Sequence, residues 1–193
     1  MTSSALPARY RPDQLDVHLS AEQIQSRIQA MAADINDAYK DTQKLVLVAV
    51  LKGAFMFAAD LIRYIKVPCQ IEFVRLASYG DAQVSSGLIQ PMDMSLPSLS
   101  GEDVLIVEDI IDTGLTLHFF MAYIQSLHHT KSLRLAVLLD KKAARQQDIQ
   151  VDFTGFEVGN EFLVGYGLDF AGYYRNLPFI GVVRDEATQT EAL

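Results

Sequence analysis

Apolar residues recur along the chain with two different spacings, and each spacing predicts one kind of element. One set lies three or four positions apart, as on the buried face of an amphipathic helix, and consists of Ile24, Ile28, Met31 and Ile35. Ser20 and Gln23 stand at its start with the spacing of a capping box. Continuous apolar runs instead predict strands that are buried on both faces of a sheet. These runs span residues 45–50, 70–76, 104–107 and 133–139.

The order of these elements predicts an α/β fold with a mainly parallel central sheet flanked by helices. Helical patterns over 54–65 and 114–127 alternate with the strand runs, which is typical of parallel sheets. Shorter strands are expected at 153–158 and 179–183. The sequence contains neither a clear linker nor an internal repeat, so we expect a single domain over residues 1–193 with a small C-terminal part.

Polar residues follow three of the predicted strands at the point where each strand ends. Lys52 and Gly53 follow the first, Glu108 and Asp109 follow the third, and Lys141 comes shortly after the fourth. The carboxyl ends of parallel strands share one edge of a sheet, and open α/β sheets bind ligands there. Lysines and carboxylates that converge at one edge suit a phosphorylated substrate bound with Mg²⁺.

The acidic pair is followed by Asp112 and then by a Thr-Gly-Leu-Thr loop at residues 113–116, which leads into the next predicted helix. The first N–H groups of a helix have no partner within it, so they form an anion site. Two hydroxyls and a glycine in this loop suit a phosphate monoester, while the carboxylates suit sugar hydroxyls or Mg²⁺. The stretch therefore predicts a site for a phosphorylated sugar.

Charge and composition narrow the class of protein. The chain of 193 residues has a formal net charge of −8 and a pI of about 4.9, which argues against a general nucleic-acid binder. Its single cysteine, Cys69, allows no internal disulfide, as in a reducing compartment. Residues 1–10 lack the apolar core of a signal peptide, and no apolar run approaches the roughly 20 residues of a membrane helix. We expect a soluble cytoplasmic protein that binds neither nucleic acid nor membrane.

The stretch from Val104 to Leu117 resembles the phosphoribosyl-pyrophosphate (PRPP) motif of type I phosphoribosyltransferases, which is an acidic pair at a strand end followed by an Asp-Thr-Gly-x-Thr loop. Other segments resemble the hypoxanthine(-guanine) phosphoribosyltransferases, in the family's order, and they lie at 51–54, 75–79, 138–141, 153–157, 162–169 and 174–177. The resemblance covers about residues 45–183. It implies the type I phosphoribosyltransferase fold, with a mobile lid loop and a small hood built from the N-terminal segment and about 150–183.

The resemblance implies roles for the residues of the PRPP motif. Glu108 and Asp109 would hold the ribose hydroxyls, directly or through Mg²⁺, for which carboxylates are suitable ligands. Asp112 would lie near N7 of the purine as general base or charge stabiliser. The ribose 5-phosphate would be bound by the loop residues Thr113, Gly114, Leu115 and Thr116. Several relatives have a lysine where this chain has Leu115, so its phosphate loop carries less charge.

The pyrophosphate site is also implied by the resemblance. Lys52, Gly53 and Arg175 would bind pyrophosphate, and the fork of a guanidinium matches phosphate geometry. In the family the peptide bond before this lysine can be cis. Asp169 would be a ligand of a second Mg²⁺ on the pyrophosphate.

A long irregular segment over residues 77–100 is the predicted lid, because segments of this length in compact domains are usually functional loops or disordered. By resemblance, Ser78 and Tyr79 would close over PRPP and exclude water, which would otherwise capture a ribosyl oxocarbenium-like transition state. Some relatives have a basic residue where this chain has Ala77, so the closure of the lid is expected to differ from theirs.

The purine pocket would come from Lys141, Phe162 and Leu163. Lys141 would donate to the 6-oxo group of the base, because a lysine donates hydrogen bonds but accepts none. Phe162 would stack on the base, and the backbone of Leu163 would contact its other edge. This arrangement would favour hypoxanthine and guanine over adenine.

Together these roles imply a purine salvage enzyme that converts PRPP and a 6-oxopurine, hypoxanthine and also guanine, into IMP or GMP and pyrophosphate with Mg²⁺. Two alternatives stay open, namely a regulator of the same fold that senses PRPP or purines and a transferase that prefers xanthine. The low pI and the lack of an added DNA-binding domain weigh against the regulator. Family resemblance also implies a homodimer or homotetramer.

Overall fold

The fold is described from a computed structural model that covers residues 11–76 and 96–183. The predicted lid residues Ser78 and Tyr79 lie outside these ranges. The strands are β1 (Leu15–Leu19), β2 (Leu45–Leu51), β3 (Cys69–Arg75), β4 (Asp103–Ile111), β5 (Ser132–Asp140), β6 (Phe153–Glu157), β7 (Leu163–Val164) and β8 (Ile180–Val183). The α-helices are α1 (Ala21–Ala38), α2 (Phe55–Ile62) and α3 (Leu115–Leu127).

Five strands form a parallel sheet in the order β3-β2-β4-β5-β6. β4 lies at its centre, and the residues from Asp103 to Asp109 are all buried. A strand covered on both faces needs apolar residues at successive positions, which explains the continuous run over 104–107. The predicted α/β fold with a mainly parallel sheet is confirmed.

The two faces of this sheet are covered by different helices. Odd-numbered residues of β2 such as Leu47 pack in one hydrophobic cluster with α1 and α2, whereas even-numbered residues such as Val48 pack with α3. Because successive side chains of a strand point to opposite faces, one apolar run serves both layers. The predicted stripe of α1 lies in the first cluster, fully buried, and consists of Ile24, Ile28, Met31 and Ile35.

A second, antiparallel sheet has the order β1-β8-β7 and has its own small hydrophobic cluster around Val164 and Leu177. The family resemblance implies a hood built from the N-terminal segment and about 150–183. Within that range, β6 pairs in parallel with β5 of the larger sheet, whereas β7 and β8 belong to the antiparallel sheet. Phe153 and Phe156 pack there against the cluster that contains α1, so the burial of two aromatic rings favours the larger sheet.

Local hydrogen bonds explain where α1 begins and where α2 ends. The Ser20 N–H donates to Gln23 Oε1 at 2.8 Å and the Gln23 N–H donates to Ser20 Oγ at 3.3 Å, so the capping box is confirmed. α2 ends at Ile62, before the predicted end at residue 65, because the Tyr64 and Ile65 N–H groups bond to carbonyls three residues back. None of the helices in the described ranges is long and apolar enough to cross a membrane.

Candidate active site

Polar residues lie near the carboxyl ends of three neighbouring strands. β2 is followed by Lys52 and Gly53, and β5 is followed by Lys141. Both strands pair with β4, so these residues share one edge of the sheet with Glu108 and Asp109. β4 continues to Ile111, so the acidic pair lies within the last part of the strand and not just past its end.

Glu108 and Asp109 form a buried acidic pair that is only 9% and 8% exposed. Burial raises the pKa of Glu108 well above its ordinary value, and the neighbouring Asp109 carboxyl adds to this rise. Burial also raises the pKa of Asp109, although its hydrogen bonds and the charge of Arg175 act in the opposite direction. A bound cation would add positive charge next to these carboxyl groups and would favour their ionised forms.

Two glycines allow backbone segments to approach this pair closely. A β-carbon on Gly53 would lie 1.8 Å from Asp109 Oδ2, and one on Gly167 would lie 2.1 Å from the Gly53 carbonyl oxygen. Gly167 also has a φ of +101°, which favours glycine. The peptide bond between Leu51 and Lys52 is cis, as the family resemblance implies. The turn after β2, the acidic pair and the turn at Gly167 are therefore in direct contact.

Arg175 and Asp169 form an ion pair beside this contact. Arg175 Nη2 lies 2.5 Å from Asp169 Oδ1, and Nη1 donates to the Gly167 carbonyl at 2.6 Å. The other carboxylate oxygen, Asp169 Oδ2, accepts from the Gly172 N–H at 2.7 Å. These bonds hold a guanidinium next to the turn at Gly53, where its fork is suited to a phosphate group.

The loop between β4 and α3 presents backbone N–H groups. Gly114 immediately precedes α3 with a φ of +77°, and the Thr113 N–H donates to Asp112 Oδ1 at 2.5 Å. The first backbone bond of α3 runs from the His118 N–H to the Gly114 carbonyl at 2.9 Å. The N–H groups of residues 115–117 therefore have no backbone acceptor within the helix, which is suitable for an anion.

Lys141 reaches the segment that contains Phe162 and Leu163. Its Nζ donates to the Glu161 carbonyl at 2.8 Å. The Phe162 ring is 46% exposed and packs edge-to-face on Phe170, with ring centroids 5.5 Å apart. Leu163 is buried as the first residue of β7. An exposed ring supported by a second ring offers a face on which a flat base can stack.

The acidic pair provides part of the ligand set that Mg²⁺ needs. In residues 11–76 and 96–183, no three His, Cys, Asp or Glu side chains converge into a metal site made by the protein alone. Mg²⁺ usually keeps several waters and takes one or two carboxylates together with substrate phosphates. The buried pair of Glu108 and Asp109, with raised pKa values, fits such an ion when it arrives with a phosphorylated substrate.

Comparison with known proteins agrees with this geometry. A family model described as the phosphoribosyl transferase domain matches residues 19–171. The chain belongs to the phosphoribosyltransferase family. In this phosphoribosyltransferase the acidic pair and the loop from Asp112 to Thr116 lie at the centre of the matched region. The expected type I phosphoribosyltransferase fold is confirmed.

Named relatives narrow the family further. The hypoxanthine-guanine phosphoribosyltransferase of Bacillus subtilis (strain 168) is 44% identical over 168 residues, which cover 87% of this chain and 92% of that protein. The enzyme of the same name from Mycobacterium avium is 42% identical over 185 residues, which cover 93% and 91%. A crystal structure of the Bacillus anthracis hypoxanthine-guanine phosphoribosyltransferase has a TM-score of 0.81 at 41% identity, covering 88% and 98%. The resemblance to hypoxanthine(-guanine) phosphoribosyltransferases is confirmed.

The structure adds residues to this phosphoribosyltransferase site that the sequence does not single out. Gly167 touches the turn at Gly53, Phe170 supports the Phe162 ring, and Arg145 lies beside Gly114 in the loop before α3. The Gly-x-Gly spacing at 165–167 is a signal for a special backbone conformation. The contact of Phe170 with Phe162 spans eight residues and that of Arg145 with Gly114 spans 31, and no local pattern indicates either of them.

Proposed function

We propose that this protein transfers the 5-phosphoribosyl group of PRPP to N9 of hypoxanthine, and also of guanine, giving IMP or GMP and pyrophosphate. The observation that carries the proposal is the grouping of Gly53, Asp109 and Arg175, with the phosphate loop and Lys141 at the same edge of the sheet. PRPP and a base together need sites for pyrophosphate, for ribose 5-phosphate and for a purine, and the residues at this edge would supply one of each. The names of the relatives support the same reaction.

The ribose 5-phosphate would be held at both of its ends. Glu108 and Asp109 would bind its 2- and 3-hydroxyls, and the loop over 113–116 would bind the phosphate through backbone N–H groups and threonine hydroxyls. Leu115 contributes no charge to this loop. The direction of the N–H groups therefore matters more here than in a loop with a lysine at this position.

The leaving pyrophosphate would be met by Lys52, the Gly53 backbone and Arg175. Mg²⁺, held by Glu108, Asp109 or Asp169, would supply neutralising charge to the pyrophosphate oxygens when bound. Breaking of the Asp169 ion pair would free the Arg175 guanidinium to bind a phosphate oxygen, so the ion pair holds this side chain ready near the turn. Positive charge that grows at C1 of the ribose would face the nearby carboxylates.

Asp112 would act on the base, as general base or charge stabiliser near N7. Its Oδ1 accepts from the Thr113 N–H, which fixes the orientation of the carboxylate. N9 of the purine would attack C1 as pyrophosphate leaves, with inversion at the anomeric carbon. Ser78 and Tyr79 would cover the site and exclude water.

Base selection would depend on Lys141. Its Nζ donates to the carbonyl of Glu161, the residue before Phe162, and would donate instead to the 6-oxo group of a base stacked on the Phe162 ring. An adenine amino group offers it no acceptor in the same place. Phe162 would stack on the base and the backbone of Leu163 would contact its other edge.

The remaining features of the proposal concern the whole protein. We place it in the cytoplasm as a homodimer or homotetramer that binds no nucleic acid. The chain would form a single domain with a hood that contains β1, β7 and β8 and with a lid. The regulatory alternative is not favoured, because the relatives at 41–44% identity that are described above carry the names of enzymes.

A comparison of four bases tests the proposal. The protein is assayed with PRPP, Mg²⁺ and hypoxanthine, guanine, xanthine or adenine, and kcat/KM is measured for each. We expect hypoxanthine and guanine to exceed adenine by at least about 100-fold, and Lys141→Gln to narrow this ratio because glutamine can also accept. Lys142→Gln is the matched control, since Lys142 pairs with Glu157 at the surface. Equal use of adenine, or a strong preference for xanthine, would contradict the assignment of the base.

A further inference from the structure

Arg145 is a largely buried cation with two protein acceptors. Its guanidinium pairs through Nη2 with Asp140 Oδ1, and its Nη1 donates to the Ile149 carbonyl at 3.0 Å. The Arg145 side chain is 17% exposed and the Asp140 side chain is 2% exposed. A buried pair of this kind depends strongly on its geometry, because loss of one partner leaves the other charge without compensation.

The backbone that follows Arg145 is bonded to the phosphate loop. The N–H groups of Gln146 and Gln147 both donate to the Thr113 carbonyl, at 2.9 and 3.2 Å. Gly114 is in close contact with the same segment, because a β-carbon there would lie 3.0 Å from Ile149 Cδ1 and 3.2 Å from Arg145 Cδ. The loop therefore rests on residues 145–149.

The Asp140 end of the ion pair lies next to Lys141, the residue proposed to bind the purine. Asp140 is the last residue of β5 and directly precedes Lys141. The Lys141 N–H donates to the Ile111 carbonyl at 2.9 Å, two residues before the phosphate loop begins at Thr113. One guanidinium thus joins the end of β5 to the segment that supports the phosphate loop.

We propose that Arg145 is a positioning residue for binding of the ribose 5-phosphate. Its two bonds hold residues 145–149 against Thr113 and Gly114, and this contact sets the direction of the N–H groups at the start of α3. The inference rests on the proposed function, in which this loop binds the 5-phosphate. Because Leu115 adds no cation, a change in the direction of these N–H groups weakens phosphate binding directly.

The test is Arg145→Lys, which keeps the positive charge but removes the fork that reaches two acceptors at once. In the reverse reaction we expect KM for IMP to rise by about tenfold, in line with loss of one hydrogen bond to a charged group, while KM for pyrophosphate stays within about twofold. Binding of IMP and of inosine is measured as well. Inosine has no phosphate, so its affinity should not change. Lys142→Met, which removes an exposed ion pair of the neighbouring residue, is the matched control.

Two results would overturn the inference. One is an equal loss of affinity for IMP and inosine, which a general structural defect would produce, and the other is an unchanged KM for IMP. If Arg145→Lys does not fold, Asp140→Asn replaces it, and a rise in KM for IMP with constant affinity for inosine is again the expected result. If the wild-type protein did not convert IMP and pyrophosphate at all, the proposed function itself would be contradicted. This outcome can be distinguished from the two results above, which concern only the role of Arg145.

Discussion

The close approach of Gly53 to Asp109 can be perturbed by adding one methyl group, through the substitution Gly53→Ala. Gly53→Ala would put a β-carbon 1.8 Å from Asp109 Oδ2 and 2.3 Å from its Cγ. Unstrained contacts between such atoms are roughly 3.5 Å long, so the turn and the carboxyl group have to separate by about 1.5 Å. Overpacking of this kind costs about 1–3 kcal/mol of stability, and a displacement of ~1 Å at a reacting centre can lower the rate by ~100-fold.

The assay combines kinetics with thermal unfolding. We expect Gly53→Ala to lower kcat/KM for PRPP by about 100-fold and Tm by a few degrees, since ~1 kcal/mol corresponds to ~2–4 °C in a chain of this size. Asp109→Ala removes the group with which the new methyl would collide. In that background Gly53→Ala should leave Tm almost unchanged, so the two substitutions should show a coupling of about 1–3 kcal/mol.

The reasoning would be refuted by either of two observations. If Gly53→Ala retained wild-type kcat/KM for PRPP, the turn after β2 and the acidic pair would not act together on the substrate. If the loss of Tm were the same with and without the Asp109 carboxyl group, the contact between Gly53 and Asp109 would not be its cause.

Three further perturbations test individual charges. Because the pKa of Glu108 in the folded protein lies above its ordinary value of 4.5, the protonated carboxyl group favours folding at low pH, and this contribution to stability is lost as the pH rises. Glu108→Gln should therefore raise the Tm of Mg²⁺-free protein near pH 8 but hardly change it near pH 5, while activity falls. An equal gain in Tm at both pH values would contradict this. Burial alone would raise the pKa of Asp103, but hydrogen bonds from Lys131, Thr42 and Ser132 lower it overall. Asp103→Asn should therefore cost about 1–3 kcal/mol in denaturant unfolding at pH 7, and this cost should shrink as pH falls below about 4; a constant cost would refute it. Asp112→Ala should lower kcat by ~100-fold or more if the carboxylate is a general base, and an unchanged kcat would remove that role.

Much of the architecture follows from local patterns because burial on both faces of a strand requires consecutive apolar residues. β2 and β4 were predictable on this ground, and so was α1 with its capping box at Ser20. The acidic pair and the loop proposed to bind the phosphate could likewise be placed next to each other from the sequence, since they lie on one continuous segment.

Contacts between distant segments could not be predicted in the same way. The approach of Gly167 to Gly53 and the support of Gly114 by residues 145–149 depend on how segments that are distant in sequence pack against each other. The position of β6 could not be predicted for the same reason, because its pairing with β5 accompanies the burial of its aromatic rings in the cluster that contains α1 and does not follow from its own short pattern. The residues that position the site were thus less predictable than those expected to touch the substrate.

Product formation from PRPP and hypoxanthine is the most direct test of the proposed reaction. Purified protein is incubated with both substrates and Mg²⁺, and IMP and pyrophosphate are quantified together. We predict equal amounts of the two products, strict dependence on PRPP, loss of the reaction with excess EDTA and its return when Mg²⁺ is added. Absence of IMP under these conditions, or release of pyrophosphate without IMP, would contradict the account.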